Sequence, residues 1–350
     1  MLNEIFSKRL ISARKQTGLS QDQLVARIGG AVKKTAIARY ERGEMMPRPE
    51  VAELLAGALK QPLDYFYRTP ETEITQVELR ARASLGKREK QRWNEVIASA
   101  VERYLTLEQI MSMHIPFSNP LEDLVITRED DIEQAADQLH HAWQLGFNPL
   151  GSVMAMLEDH GIMVMEVDAG ENFEGYSAFA NRQYPIAVIR KSATTERRRF
   201  TALHELAHLM LKFDERLSNK QKENLCHRFA GAVLIPARVF HRNFGRYCSG
   251  FTRQELGFIK DKYGISAAAF IMRAANLNAL PQMKQIELLR LVKKDKLERH
   301  IGSNQSTDNA TRFRQLLLRA VTEGNLSFTK AAEISGLDYE TFTNTYLNET

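Results

Sequence analysis

The chain has 350 residues, 43% of them hydrophobic and 26% charged, with two cysteines and a net charge of +5. That length predicts two or three domains, and the composition excludes a disordered or fibrous chain. No apolar run approaches the roughly 20 residues of a membrane helix, and Cys226 and Cys248 form no C-x-x-C pair, so neither a disulfide scaffold nor a thiolate zinc site is expected. A reduced, cytoplasmic setting without membrane contact follows as the expectation.

Residues 1–67 read as short helices separated by turn signals. Eleven Lys and Arg stand against seven Asp and Glu there, so most of the chain's excess positive charge lies in this first segment. Ser20 is placed to cap a helix starting at Gln21, because its hydroxyl accepts from an amide of the first turn. Leu24, Val25 and Ile28 form that helix's buried stripe, and Gly29 and Gly30 supply a tight turn. A second helix from about Lys33 is expected to turn Lys33, Lys34, Thr35 and Arg39 outward and Ile37 and Tyr40 inward. Two helices joined in this way place the second in a DNA major groove.

Residues 68–127 read as a helical connector. Apolar positions from Val77 and Leu79 through Leu85, Trp93, Val96, Ile97, Val101, Tyr104 and Leu105 predict a long helix over 71–113, a connector or a dimerisation surface. The two prolines of IPFSNPLEDL mark the next boundary. From 128 to 275 the pattern is mixed. Helices are expected over 130–145 and 149–160, then strands at IMVMEV, YSAFA and PIAVIR, then helices at TERRRFTALHELAHLMLKF and from Lys220 to Val233, the last stopped by Pro236. Residues 276–350 read as helical, interrupted by GSNQSTDN as an exposed linker. In the tail, RFRQLLLRAVTEGNLSFTKAAEISGLDYETF reads as a second, degenerate helix-turn-helix or as a partner-binding tail.

The run HELAH carries the chemistry. His204 and His208 are four apart, so a helix presents both imidazoles on one face to one ion. Glu205 beside them is the general base for a water on that ion. Zinc is expected, with Mn2+ or Fe2+ compatible with the same donors. Two histidines leave zinc under-coordinated. Of the downstream carboxylates, Asp214 and Glu215 follow the helix too closely to turn back, whereas Glu223 opens a helix that can pack across the first. His227, one turn on, is an oxyanion donor, a substitute ligand, or a helix histidine without chemistry. Cys226 reads as a small buried hydrophobe, and Arg197, Arg198 and Arg199 as a solvated helix start or a contact to nucleic acid or an acidic substrate. The strand with Tyr176, Ser177 and Phe179 is a candidate place for a substrate chain to add.

Two resemblances follow from these residues. GLSQ, the turn, the second helix and YERG followed by proline resemble the XRE-family, lambda-repressor-like helix-turn-helix. That resemblance implies a phosphate anchor at Gln21, phosphate or base contacts from Lys33, Lys34, Thr35, Ala36 and Arg39, and a homodimer on a double-stranded DNA operator. RRRFTALHELAHLML and ENLCHRFAGAVLIP resemble the two active-site helices of ImmA/IrrE-family metallopeptidases, which implies His204, His208 and Glu223 as ligands and Glu205 as base. Ala207 stands where that family often has glycine. The expected fold class is α+β: an all-α helix-turn-helix, a helical connector, a zincin-like peptidase domain (128–275) with a small sheet, and a helical C-terminal region (276–350). The expected function is a DNA-binding regulator with a zinc-dependent endopeptidase domain that cleaves or controls a partner regulator. The alternative is an antitoxin and autorepressor that holds a cognate toxin and has a weak or non-catalytic zinc site.

Overall fold

Helix signals and caps in the first segment translate directly into structure. The computed structural model describes residues 2–69, 74, 77–79, 86–170, 173, 175–302 and 308–346, and the chain divides into two compact units. The first opens with α1 (Leu2–Gln16), α2 (Gln21–Arg27), α3 (Lys34–Glu41), α4 (Pro49–Leu59) and a 3-10 turn (Leu63–Tyr67). Phe6, Leu10, Leu24, Ile37, Leu55 and Phe66, each fully buried, make its core. Then come β1 (Val77–Leu79) and α5 (Lys87–Met111).

The helix expected over 71–113 is therefore shorter at its start. Val77 and Leu79 lie in an extended segment, and α5 begins only after Gly86. In V-E-L the apolar residues alternate at period two, which suits a strand as well as a helix face. Leu85 lies outside the described residues.

The second unit covers 115–179 and 183–311. It contains β2 (Val125–Ile126), α6 (Asp130–Ala142), α7 (Val153–Asp159), β3 (Met163–Val167), β4 (Tyr176–Ala180), β5 (Tyr184–Arg190), α8 (Thr195–Met210), β6 (Lys212–Phe213) and α9 (Asn219–Leu234). Four more helices follow: α10 (Ala237–Phe244), α11 (Arg253–Tyr263), α12 (Ala267–Asn276) and α13 (Gln282–Lys294), with a 3-10 turn at Leu297–Arg299. The three expected strands lie together in the order β4-β5-β3, and β3 runs parallel to β5 with Met163 opposite Ile186. β2 and β6 pair in parallel as a small ribbon. Apolar faces of α6, α8 and α9 bury Leu139, Leu203, Leu206, Phe229 and Val233 in one core with the sheet's Val164 and Ile189. This is the expected α+β layering of helices around one small sheet.

The last three helices, α14 (Arg312–Thr322), α15 (Phe328–Ser335) and α16 (Tyr339–Tyr346), belong with the first unit. Leu316, Leu317, Leu326, Ile334 and Phe342 pack on Leu107 of α5. Ser327 caps α15 and Gly336 ends it in the left-handed conformation, so the tail has the expected helix, glycine turn and second helix.

Two expectations are corrected in part in the second unit. Of the stretch GSNQSTDN, expected as an exposed linker, residues 303–307 lie outside the described residues and Gly302 and Asn309 are exposed, but Asp308 is 1% exposed. Its carboxylate accepts from Ser152 Oγ and from the amides of Val153 and Met154, at 2.7, 2.8 and 2.9 Å. Nor are all three arginines of α8 a solvated helix start: Arg198 and Arg199 are buried. Arg199 pairs with Asp308 at 2.8 Å and donates to the carbonyls of Leu150 and Gly151, while Arg198 pairs with Glu166. Burial holds the Arg199 guanidinium below its ordinary pKa, opposed by the Asp308 charge.

Candidate metal centre and nucleic-acid interface

In the first unit, Ser20 accepts from the Gln23 amide while the Gln23 side chain accepts from the Ser20 amide, a complete capping box. Gly29 and Gly30 both have left-handed φ, +67° and +73°, which the turn between α2 and α3 requires of residues without a Cβ. Ile37 and Tyr40 anchor α3 in the core. Lys33, Lys34, Thr35 and Arg39 are exposed and Ala36 half-buried, so the second helix offers one basic, solvent-facing surface. Gln21 sits in the first turn of α2, where its amide donates to Glu41 Oε2 at 2.8 Å. Glu41 in turn receives Arg14, so Gln21 is held by a buried ion pair at the helix start.

In the second unit, α8 and α9 bring three donors together. His204 and His208 project from one face of α8, with their Nε2 atoms 3.1 Å apart. Glu223, in the second turn of α9, places Oε2 3.4 Å from His204 Nε2 and Oε1 3.4 Å from His208 Nε2. Ligand atoms bound at about 2.0–2.2 Å around a tetrahedral ion stand roughly 3.3–3.5 Å from one another, so the ring nitrogens are close to such an edge and a different oxygen of Glu223 lies at edge distance from each ring. Two ring nitrogens and a carboxylate converging at this spacing present electron pairs to one point, which a cation satisfies. The donor set fits zinc: two imidazoles and one carboxylate, with a fourth position left for water or substrate. Among the described residues, these are the only three His, Cys, Asp or Glu side chains that cluster in this way.

The outer nitrogens of the two histidines have different surroundings. His208 Nδ1 faces Cys226 Sγ at 3.6 Å. Cys226 is buried as expected, and it also contacts His208. His204 Nδ1 is buried without a hydrogen-bond partner. Its ring is braced instead by His227, stacked on it with centroids 4.2 Å apart and flanked by Phe200 on α8 at 6.0 Å. His227 is exposed and stands outside the three converging donors.

Glu205 is 5% exposed and its Oε2 accepts from the Ser177 hydroxyl at 2.8 Å. Ser177, fully buried in β4, thus faces α8. Sequence reading placed this residue only on a candidate substrate strand, because a pairing across 28 positions between a strand and a helix leaves no local pattern. Gly175 makes the approach possible. Its φ is +145°, and a Cβ there would lie 2.5 Å from Thr201 Cγ2 and 3.1 Å from Glu205 Oε1.

The first unit is therefore built as a DNA-reading helix pair, and the second as a peptidase-like fold around a pair of helices whose His204, His208 and Glu223 could hold a metal ion. Residues 10–66 match the helix-turn-helix family model, and residues 157–275 match the peptidase family model described as the IrrE N-terminal-like domain. The chain thus carries a helix-turn-helix domain of XRE type and an IrrE N-terminal-like peptidase domain. No curated protein and no solved structure matches it. Among the described residues no helix is long and apolar enough to cross a membrane.

Proposed function

We propose that this DNA-binding regulator hydrolyses a peptide bond in a partner protein, with His204, His208 and Glu223 holding zinc and Glu205 acting as base. The observation that carries the reading is the convergence of His204, His208 and Glu223, with a carboxylate oxygen 3.4 Å from each ring, beside a carboxylate already oriented by a hydroxyl. When bound, the ion supplies Lewis-acid polarisation of the scissile carbonyl and of the attacking water. Glu205, oriented by Ser177, takes the proton from water and later delivers it to the leaving amine nitrogen. His227, exposed and stacked over His204, is the side chain positioned to donate to the oxyanion that develops on the carbonyl oxygen. The helix-turn-helix brings this activity to an operator as a homodimer, with phosphate and base contacts from Gln21, Lys33, Lys34, Thr35, Ala36 and Arg39.

The near-complete burial of His204 and Glu205 favours one other reading, in which the same fold sequesters a cognate toxin and turns over weakly or not at all. The Glu205→Gln variant separates the two. Wild-type and variant chains are expressed in the native cells, and new protein N-termini are compared by mass spectrometry alongside metal analysis of the purified chains. The peptidase reading expects termini that appear only with Glu205 intact while both chains retain metal. Identical sets of termini would sink it.

A further inference from the structure

The first helix and the connector run antiparallel and are cross-linked along their length. Arg9 pairs with Glu102 through two hydrogen bonds, at 2.8 and 2.6 Å, and Lys15 pairs with Glu95 at 3.4 Å. Further along, Arg92 Nε donates to the Gln16 carbonyl at 3.1 Å, and Arg88 donates to the Gly18 carbonyl and, at 3.1 Å, to Gln23 Oε1. The ladder fixes the basic start of α5 against the turn that enters α2. A cleft of about 330 Å³ forms there, lined among others by Arg14, Lys15, Ser20, Arg88, Gln91 and Arg92.

The cleft's charge does not cancel. Arg14 is neutralised by Glu41 and Lys15 by Glu95. Arg88 and Arg92 spend their bonds on uncharged oxygens, and no described carboxylate pairs with either, so two positive charges remain exposed. Gln23, which Arg88 touches, follows Asp22, which Lys34 of α3 reaches at 2.7 Å. Lys34 is thereby paired, and Asp22 and Gln23 separate the charge of α3 from that of α5, so Arg88 and Arg92 form a positive patch of their own beside the start of α2. A positive patch on the same unit as a groove-reading helix matches the charge of a phosphodiester strand.

We propose that Arg88 and Arg92 of the connector form a second phosphate-binding site for duplex DNA, outside the helix-turn-helix domain itself. The guanidiniums act on the backbone, so they add affinity uniformly across sequences and carry no base specificity. The proposal rests on DNA binding by residues 10–66 and extends its footprint. Capture of the backbone at this point would clamp the α1–α2 turn, and with it the start of the reading pair.

The test is fluorescence anisotropy of the full chain on a labelled 30-base-pair duplex of random sequence, titrated between about 50 and 250 mM KCl. Each phosphate contact contributes roughly 0.9 to the slope of log affinity against log salt. Arg88→Gln with Arg92→Gln is expected to lower the magnitude of that slope by about 1.8 and weaken binding roughly tenfold or more at 100 mM salt. Arg88→Lys with Arg92→Lys keeps both charges and is expected to retain the slope. A Gln variant with the wild-type slope would overturn the proposal, as would a Lys variant that loses the slope equally, because the effect would then be one of folding. If the wild-type chain itself fails to bind, the DNA-binding reading fails instead.

Discussion

At the level of single residues, Glu223 and Glu205 have separable roles. Glu223 reaches the site from a different helix, so removing it leaves two imidazoles and an incomplete cage. Glu223→Ala is expected to lower zinc affinity by tenfold or more in competition with a chelator, with the far-ultraviolet circular dichroism unchanged. Glu205→Gln is expected to keep the metal and lose hydrolysis by roughly 10²–10⁴, the usual contribution of a positioned general base. The buried Arg199–Asp308 pair has a different kind of importance. Each partner is almost wholly removed from water, and breaking one side strands the other charge. Asp308→Asn is expected to destabilise the second unit by about 3–5 kcal/mol in urea unfolding, and a further Arg199→Met is expected to recover much of that loss. A cost below about 1 kcal/mol for the first substitution would show that the pair is not structural.

Among the elements, helix starts concentrate the local information. Asp131 illustrates the electrostatic side: its carboxylate accepts from the Thr127 amide and hydroxyl and from the Arg128 amide, at 2.8, 2.7 and 3.0 Å, closing the turn into α6. Those bonds hold its pKa below the usual carboxylate value. A lowered folded-state pKa adds stability that is fully present above the unfolded value, near 3.9, and is lost as pH falls through the folded one. Asp131→Ala is therefore expected to cost about 1 kcal/mol at pH 7, and the gap from wild type should narrow only below about pH 4. A gap independent of pH down to 2 would remove the carboxylate's charge from the explanation. The capping signal at Ser20 was legible in the sequence because a cap and the helix it starts are neighbours in the chain. The start of α5 was not legible, since period-two and period-3.6 patterns overlap over three residues.

Across the whole molecule, the chain leaves its first unit, builds the second, and returns. Leu107 of α5 is covered by Leu317 and Phe342 of the last helices, all three fully buried. The C-terminal helices therefore complete the core that supports the connector of the DNA-binding unit. Phe342→Ala is expected to destabilise the first unit by about 3–5 kcal/mol. Deleting residues 312–350 is expected to lower that unit's melting temperature while zinc binding by the second unit is retained. Loss of metal binding on the same truncation would show that the second unit depends on the tail.

The amino-acid sequence by itself determined the helix pair with its glycine turn, the three strands, and the HELAH helix with its two histidines. Each is written in spacing over a few consecutive positions, where backbone geometry repeats. Glu223 was reached by asking which carboxylate the next helix could present, and the packing of α8 against α9 brings it to both histidines. Only the tertiary structure decided that Ser177 orients Glu205, that Asp308 reaches back to Arg199, that His227 lies over His204, and that the last three helices rejoin the first unit. These pairings span tens to hundreds of residues. Their partners are chosen by burial and charge in the folded core, which no local period in the chain encodes.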